Sequence, residues 1–200
     1  MKWLTEGDLA DIYGTPKPPS LRKVADRLTD DYRAFLEASR FCVLTTVGPE
    51  GTDGSPRGDD GPVVRVMDDK HLAMPDWRGN DRIDSLRNIT RDPRVSLIFL
   101  IRGSNTVIRV NGQARLTDDA ALCDSLARDG KLPRTVIVVQ IGEIYFQCAR
   151  AVMRAGLWSG ADDSAGLASA GQILAGMTDG EVGGADYDAE WPIRAAQTMW

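Results

Sequence analysis

Residues 94–117 read RVSLIFLIRGSNTVIRVNGQARLT, two β-rich runs joined by a turn-rich link. In the second run, 106–117, Ile108, Val110, Ala114 and Leu116 fall on one face of an extended chain. Arg109, Asn111, Gln113 and Arg115 fall on the other, because strand side chains alternate. One face is core, and the other meets solvent, a partner or a ligand. The first run, 94–101, is apolar almost throughout, too continuous for a strand with one wet face.

The same vocabulary recurs on both sides. FCVLTTV (41–47), PVVRVM (62–67), HLAMP (71–75) and TVIVVQIGEIYFQ (135–147) bring the count to six strands. The expected fold is mainly β with flanking helices, a closed six-stranded antiparallel barrel. GPEGTDGSPRGDDG (48–61) reads as an irregular loop, since glycine, proline and aspartate favour turns over a continued ladder.

Helical periodicity frames the strands. Leu4, Leu9 and Ile12 predict a short N-terminal helix, ended by Gly14 and the TPKPP segment. Ser20 is a good N-cap for one long helix carrying Leu21, Val24, Leu28, Tyr32, Phe35 and Leu36. Asn80 would cap a helix that turns Ile83, Leu86 and Ile89 inward, and Asp118 would cap another that Gly130 ends. From 159 onward Ser, Ala, Gly and Asp dominate, so residues 159–200 are expected as a flexible or partner-draped tail. The chain reads as a single domain over 1–200: N-terminal helices to 40, a barrel core over 41–158, then the tail.

Composition removes several function classes. Two hundred residues, 42% hydrophobic, are enough for one buried core. A net charge of −5 offers no basic face for phosphates in a row, so nucleic acid is not expected as a partner. No run approaches the roughly 20 apolar residues of a membrane span, and the N-terminus lacks a signal-peptide core, so no membrane is expected and the cytoplasm fits. Cys42, Cys123 and Cys148 are odd in number and scattered, with no metal-ligand spacing. They point to a reduced compartment, and Cys42 and Cys148 read as small core residues. His71 is the one histidine, which leaves a serine–histidine triad without support. There is neither a phosphate loop of the GxxxxGK[ST] type nor a strand-coupled GxGxxG.

Four constellations could carry chemistry. In Ser55-Pro56-Arg57-Gly58-Asp59, glycine allows close approach and arginine offers a planar fork for phosphate or carbonyl oxygens. A solvated turn is the plain alternative. In PDWRGNDR (75–82) a strand end meets a helix start, so open N–H groups, the helix dipole and arginines converge as a monophosphate site would need. A capped helix with surface arginines would look the same. Arg109 and Asn111 share the polar strand face, and Arg154 with Trp158 follows the last strand, where an indole either covers an aromatic cofactor or anchors the chain end. No residue stands out as catalytic.

The order of segments says more than any one of them. TTVGPEGTDGSPRGD, PDWRGNDRIDSLRNITRDPRVSLIFLI, IRVNGQARLT and QCARAVMRAGLW together resemble the predicted flavin-nucleotide-binding branch of the pyridoxamine 5'-phosphate oxidase-like family, over residues 30–160. The resemblance implies a six-stranded split β-barrel that forms a homodimer, with flavin mononucleotide (FMN) in clefts built by both subunits. Ser55, Pro56, Arg57 and Gly58 match the segment along the isoalloxazine and ribityl chain, Pro75 and Asp76 the neighbouring strand end, and Asn80 with Arg82 the phosphate turn. Arg109 matches the strand near the cofactor, and Arg154 with Trp158 the segment that the second subunit brings to the flavin.

Two departures matter. Trp77-Arg78 stands where relatives have arginine followed by proline, so Arg78 and Arg82 compete for the phosphate role. No Arg-x-His pattern follows Trp158, which puts vitamin B6 oxidation in doubt. The resemblance therefore implies an FMN-dependent oxidoreductase acting on an unidentified small molecule. The alternatives are a flavin carrier or sensor without turnover, or a split barrel that binds deazaflavin or haem.

Overall fold

The computed structural model describes residues 1–200. In chain order it forms α1 (Glu6–Ile12), α2 (Pro18–Arg22), α3 (Asp30–Ala38), β1 (Phe41–Gly48), β2 (Gly51–Gly58), β3 (Arg65–Val66) and β4 (His71–Asp76). There follow α4 (Asp84–Arg91), β5 (Arg94–Leu100), β6 (Val107–Thr117), α5 (Ala120–Ser125), β7 (Thr135–Gln147), α6 (Arg150–Arg154), α7 (Ala170–Met177) and α8 (Gly184–Thr198). No helix is long and apolar enough to cross a membrane.

The strands make one antiparallel sheet in the order β2-β1-β5-β6-β7-β4-β3. It has seven strands and is open, which corrects the expectation of six in a closed barrel. The extra strand is β2, formed by the segment read as an irregular loop. It pairs with β1 from Phe41↔Gly58 to Gly48↔Gly51 across a tight turn, where Gly51 takes φ +124°, a conformation that favours glycine. Its alternation is real but polar: Asp53, Ser55 and Arg57 are half-buried, while Thr52, Gly54 and Pro56 are exposed. Pro56 is tolerated because β2 lies at an edge, where a missing N–H breaks no inner ladder. PVVRVM yields only the two-residue β3. Val63 and Val64 enter the core beside it, and the Val63 N–H donates to the Ser39 carbonyl at 2.8 Å.

One core fills the curled sheet. Leu36, Leu44, Leu72, Met74, Leu97, Phe99, Ile108, Val110, Ile137 and Ile144 are fully or almost fully buried in it. A small second cluster of Ala73, Cys123 and Val136 lies under α5. The curl is served by a bulge in β7, where pairing with β6 jumps from Asn111↔Glu143 to Gly112↔Ile141 and leaves Gly142 as the extra residue. Its result shows in an ion pair: Arg57 on β2 and Asp76 on β4, the first and sixth strands of the sheet, meet at 2.7 Å.

The helices differ from expectation in identifiable ways. The single long helix from Ser20 is two short ones, because Ala25 leaves the helix to exchange backbone hydrogen bonds with Ile144 at 3.0 and 2.8 Å. Thr29 then restarts it: its side chain accepts from the Tyr32 N–H, and Asp30 and Asp31 favour the positive end of α3. Asn80 does not cap α4. Its side chain accepts from the Arg82 N–H, and Ile83, at φ 53°, holds the cap position. Asp119, not Asp118, caps α5. Residues expected as a flexible tail hold α7 and α8, which pack on each other through Ser169 and Gly171, both donating to Asp188.

Gly112 tests the bulge, since a Cβ there would stand 2.0 Å from the Gln140 carbonyl oxygen, which is backbone and cannot move aside. Gly112→Ala is expected to cost about 2 kcal/mol or more and to lower the melting temperature by roughly 4–8 °C. Gly14→Ala, with open space around it, is the control. Equal thermal unfolding of the two variants would show that the bulge tolerates a side chain.

Candidate functional site

Because β2 and the end of β4 face each other across the open side of the sheet, a cleft of about 1110 Å³ forms between them. Val63 and Met74 contribute its apolar floor, the 77–83 loop and the start of α4 one wall, and Arg134 with Thr135 another. Met199 and Trp200, just beyond α8, also line it.

The alternation of β2 turns Asp53, Ser55 and Arg57 toward this space. Asp53 accepts a hydrogen bond from the Ser85 hydroxyl at 2.6 Å, which ties β2 to the first turn of α4. The Arg57 and Asp76 side chains are only 19% and 16% exposed, so their ion pair is largely withdrawn from water. Arg57 Nε is buried with no partner, and so is the Thr135 hydroxyl. Buried polar atoms nearly always find partners, and of three such orphans, the third being Arg109 Nε, two belong to residues that line this cleft.

Asp59 organises the far lip. Its side chain, 2% exposed, accepts from Arg128 at 2.6 Å, from Trp77 Nε1 at 3.1 Å and from the Gly61 N–H at 3.3 Å. Burial pushes its carboxyl above the ordinary range, and Asp60 beside it pushes the same way against those donors. In the loop below, Arg82 pairs with Asp84 at 2.8 Å and Arg134 with Asp81 at 3.0 Å. Arg78 lines the cleft without a carboxylate partner. No side chain caps α4, whose first-turn N–H groups therefore stay open toward the cleft.

Eight of the residues singled out in the sequence come together here: Ser55, Pro56, Arg57, Gly58, Pro75, Asp76, Asn80 and Arg82. Three do not line this cleft. Arg109 lies on β6 with its guanidinium 5.3 Å from the centre of the Tyr145 ring, Arg154 is exposed at the end of α6, and Trp158 donates to the Ser104 carbonyl at 2.8 Å. Asn111 is engaged with Glu143 at 2.7 Å. Asp53 escaped notice although it sits two residues before Ser55 on the same strand face. Thr135 and Trp200 carry no local signal, since only the tertiary fold brings them to the cleft.

His71 lies outside the cleft, 3.0 Å from Asp68. Cys42 is buried as expected, and burial raises its thiol to about 12. Cys148 is exposed, against the expectation of a core residue, because β7 has already left the core when it ends at Gln147.

A family model described as pyridoxamine 5'-phosphate oxidase matches residues 28–148, more than half of the chain. No curated protein matches the sequence. Among solved structures, HupZ of Group A Streptococcus is 18% identical, over 60% of this chain and 93% of its own, with a TM-score of 0.48. A candidate pyridoxamine 5'-phosphate oxidase from Lactobacillus delbrueckii is 22% identical, over 60% and 95%, with a TM-score of 0.49. An FMN-binding protein from Syntrophomonas wolfei is 15% identical, over 58% and 88%, with a TM-score of 0.44.

The Arg57–Asp76 pair can be measured directly. Asp76→Ala strands a largely buried guanidinium and is expected to cost about 2 kcal/mol, somewhat less than a fully buried pair because of the remaining exposure. The double variant Arg57→Met/Asp76→Leu is expected to regain most of that loss. Urea unfolding in which the double variant is no more stable than Asp76→Ala would show that the edges are held by something else. Thiol titration of the native protein is expected to find one fast cysteine, absent in Cys148→Ser, with Cys42 and Cys123 silent until unfolding.

Proposed function

The chain belongs to the pyridoxamine 5'-phosphate oxidase family, and from that premise we propose that its cleft binds FMN and that the protein is a flavin-dependent oxidoreductase acting on a small molecule. The observation that carries the reading is the pair of orphaned buried polar atoms, Arg57 Nε and Thr135 Oγ1, in residues that line one large cleft. A flavin's polar ring edge and ribityl hydroxyls are the complement such atoms call for.

Bound FMN supplies two-electron chemistry, exchanging a hydride at its N5. The chain's own residues bind and orient. Ser55 and Arg57 present a hydroxyl and a fixed guanidinium along the ring edge, and Asp76 keeps that guanidinium from swinging away. The phosphate falls to Arg78 and the open N–H groups of α4, because Asp84 already holds Arg82. Arg82 and Asn80 shape the turn instead. Val63 and Met74 keep water from the floor. The position of His71, away from the cleft, favours a flavin over a haem held by imidazole.

A second reading, a flavin carrier or sensor without turnover, also has an observation behind it. All six aspartates that line the cleft, Asp53, Asp59, Asp60, Asp76, Asp81 and Asp84, are engaged by a hydroxyl, an indole or an arginine. None is left free as an acid or base. The proposal includes a homodimer, in which Arg109, Arg154 and Trp158 serve the partner's cleft. Exposed Phe146, Met153 and Leu157 supply apolar surface nearby for such an interface.

Purified protein mixed with FMN and desalted is expected to keep its flavin absorption bands. Arg78→Ala is expected to weaken FMN binding by roughly ten- to a hundredfold, the worth of a hydrogen bond to a charged group, and Arg82→Ala by less. No retention by the native protein would overturn the cofactor assignment, and a larger loss in Arg82→Ala would move the phosphate to Arg82. Anaerobic reduction of the bound flavin by NADH or NADPH, then reoxidation by candidate substrates, separates the enzyme from the carrier. A monomer by light scattering that still holds FMN would remove the dimer.

A further inference from the structure

The residues that line the cleft beside Trp77 include some from the most distant part of the sequence. The ring centre of Trp200 stands 5.5 Å from that of Trp77, with an interplanar angle of 77°, and the Arg128 guanidinium lies 5.7 Å from the Trp200 ring. Both neighbours of Trp200 are fixed by one group. Trp77 Nε1 and Arg128 Nη2 each donate to the buried Asp59 carboxylate, so Asp59, Trp77, Trp200 and Arg128 form a closed ring of contacts. Trp200 is itself half-buried and lines the cleft. α8, which carries it there, packs on α7, and its Trp191 and Ile193 remain exposed.

Such an arrangement does more than tether a helix. An edge-to-face contact uses the edge of one indole and one face of the other, and beside it and the Arg128 guanidinium the half-buried Trp200 still lends part of its ring to the cleft. Here that surface borders a cleft that is also lined by the polar Ser55 and Arg57 of β2. Among ligands, a flat ring system with polar atoms along one edge suits both the indoles and the polar groups of β2. An aliphatic ligand would leave Arg57 Nε unpaired and would gain nothing from the indoles.

We propose that Trp200 is the aromatic wall of the cleft, a specificity element delivered by α8 that selects a planar ring and slows its escape. The inference rests on the FMN reading above and adds a residue outside the segment that the family match covers, residues 28–148. Trp77 is the fixed partner, held by Asp59, and Trp200 is the part that yields when the ligand leaves.

The test compares native protein, Trp200→Ala, Trp200→Phe and Trp191→Ala, each loaded with FMN and checked for unchanged thermal unfolding. Two quantities are read: the rate of FMN release on dilution, and the fluorescence of bound FMN, which an indole in contact quenches. Trp200→Ala is expected to release FMN roughly three- to tenfold faster, the worth of one aromatic pair, and to recover flavin fluorescence. Trp200→Phe is expected to fall between it and the native protein, and Trp191→Ala to match the native protein. Equal release and equal fluorescence in native protein and Trp200→Ala overturn the proposal while leaving the FMN assignment intact. Equal changes in Trp191→Ala overturn it as well, since the effect would then belong to α8 as a whole. Failure of the native protein to retain FMN overturns the cofactor reading and this inference with it.

Discussion

An antiparallel sheet in the order β2-β1-β5-β6-β7-β4-β3 has no hydrogen-bonded reason to bring β2 near β4. The contact between Arg57 and Asp76 supplies one. A largely desolvated ion pair is an exacting tie, because each charge, once withdrawn from water, needs the other in place. The bulge at Gly142, opposite Gly112, permits the curl, the ion pair defines where it stops, and the Asp59 cluster fastens the lip beside it. Had the ladder closed instead, backbone hydrogen bonds would occupy the space that the cleft now opens. The site exists because the sheet curls without sealing.

Electrostatics within the cleft follow from the same economy. Its lining holds six aspartates and four arginines, Arg57, Arg78, Arg82 and Arg134, an unpromising balance for an anionic ligand taken as a sum. The pairing decides otherwise. Arg57, Arg82 and Arg134 are matched within the lining, and Arg128 reaches in to hold Asp59 and Asp60. Arg78 is left as the uncommitted cation beside an uncapped helix start. A local field can therefore be positive where the chain as a whole carries −5.

What could be read from the sequence was whatever depended on burial. β1, β4, β5, β6 and β7 show apolar runs or alternation because one or both faces are core, and they appear close to where they were expected. β2 carries no hydrophobic signal because its inward face is Asp53, Ser55 and Arg57, which line the polar cleft and not the core. The long helix failed for a different reason. Ala25 pairs with Ile144, more than a hundred residues away, and no local pattern announces such a bond. The site was legible where it is local, in 55–58 and 75–82, and illegible where tertiary structure assembles it, at Thr135 and Trp200.

The composition of β2 has a further consequence. As the end strand of an open sheet it presents a row of backbone donors and acceptors to solution, the usual template for strand-by-strand polymerisation. GTDGSPRG is a poor template: proline removes a donor, three glycines lack side chains to pack, and an aspartate and an arginine carry charge. The features that hid this strand from sequence reading therefore also make the sheet's margin a poor place for edge-to-edge pairing.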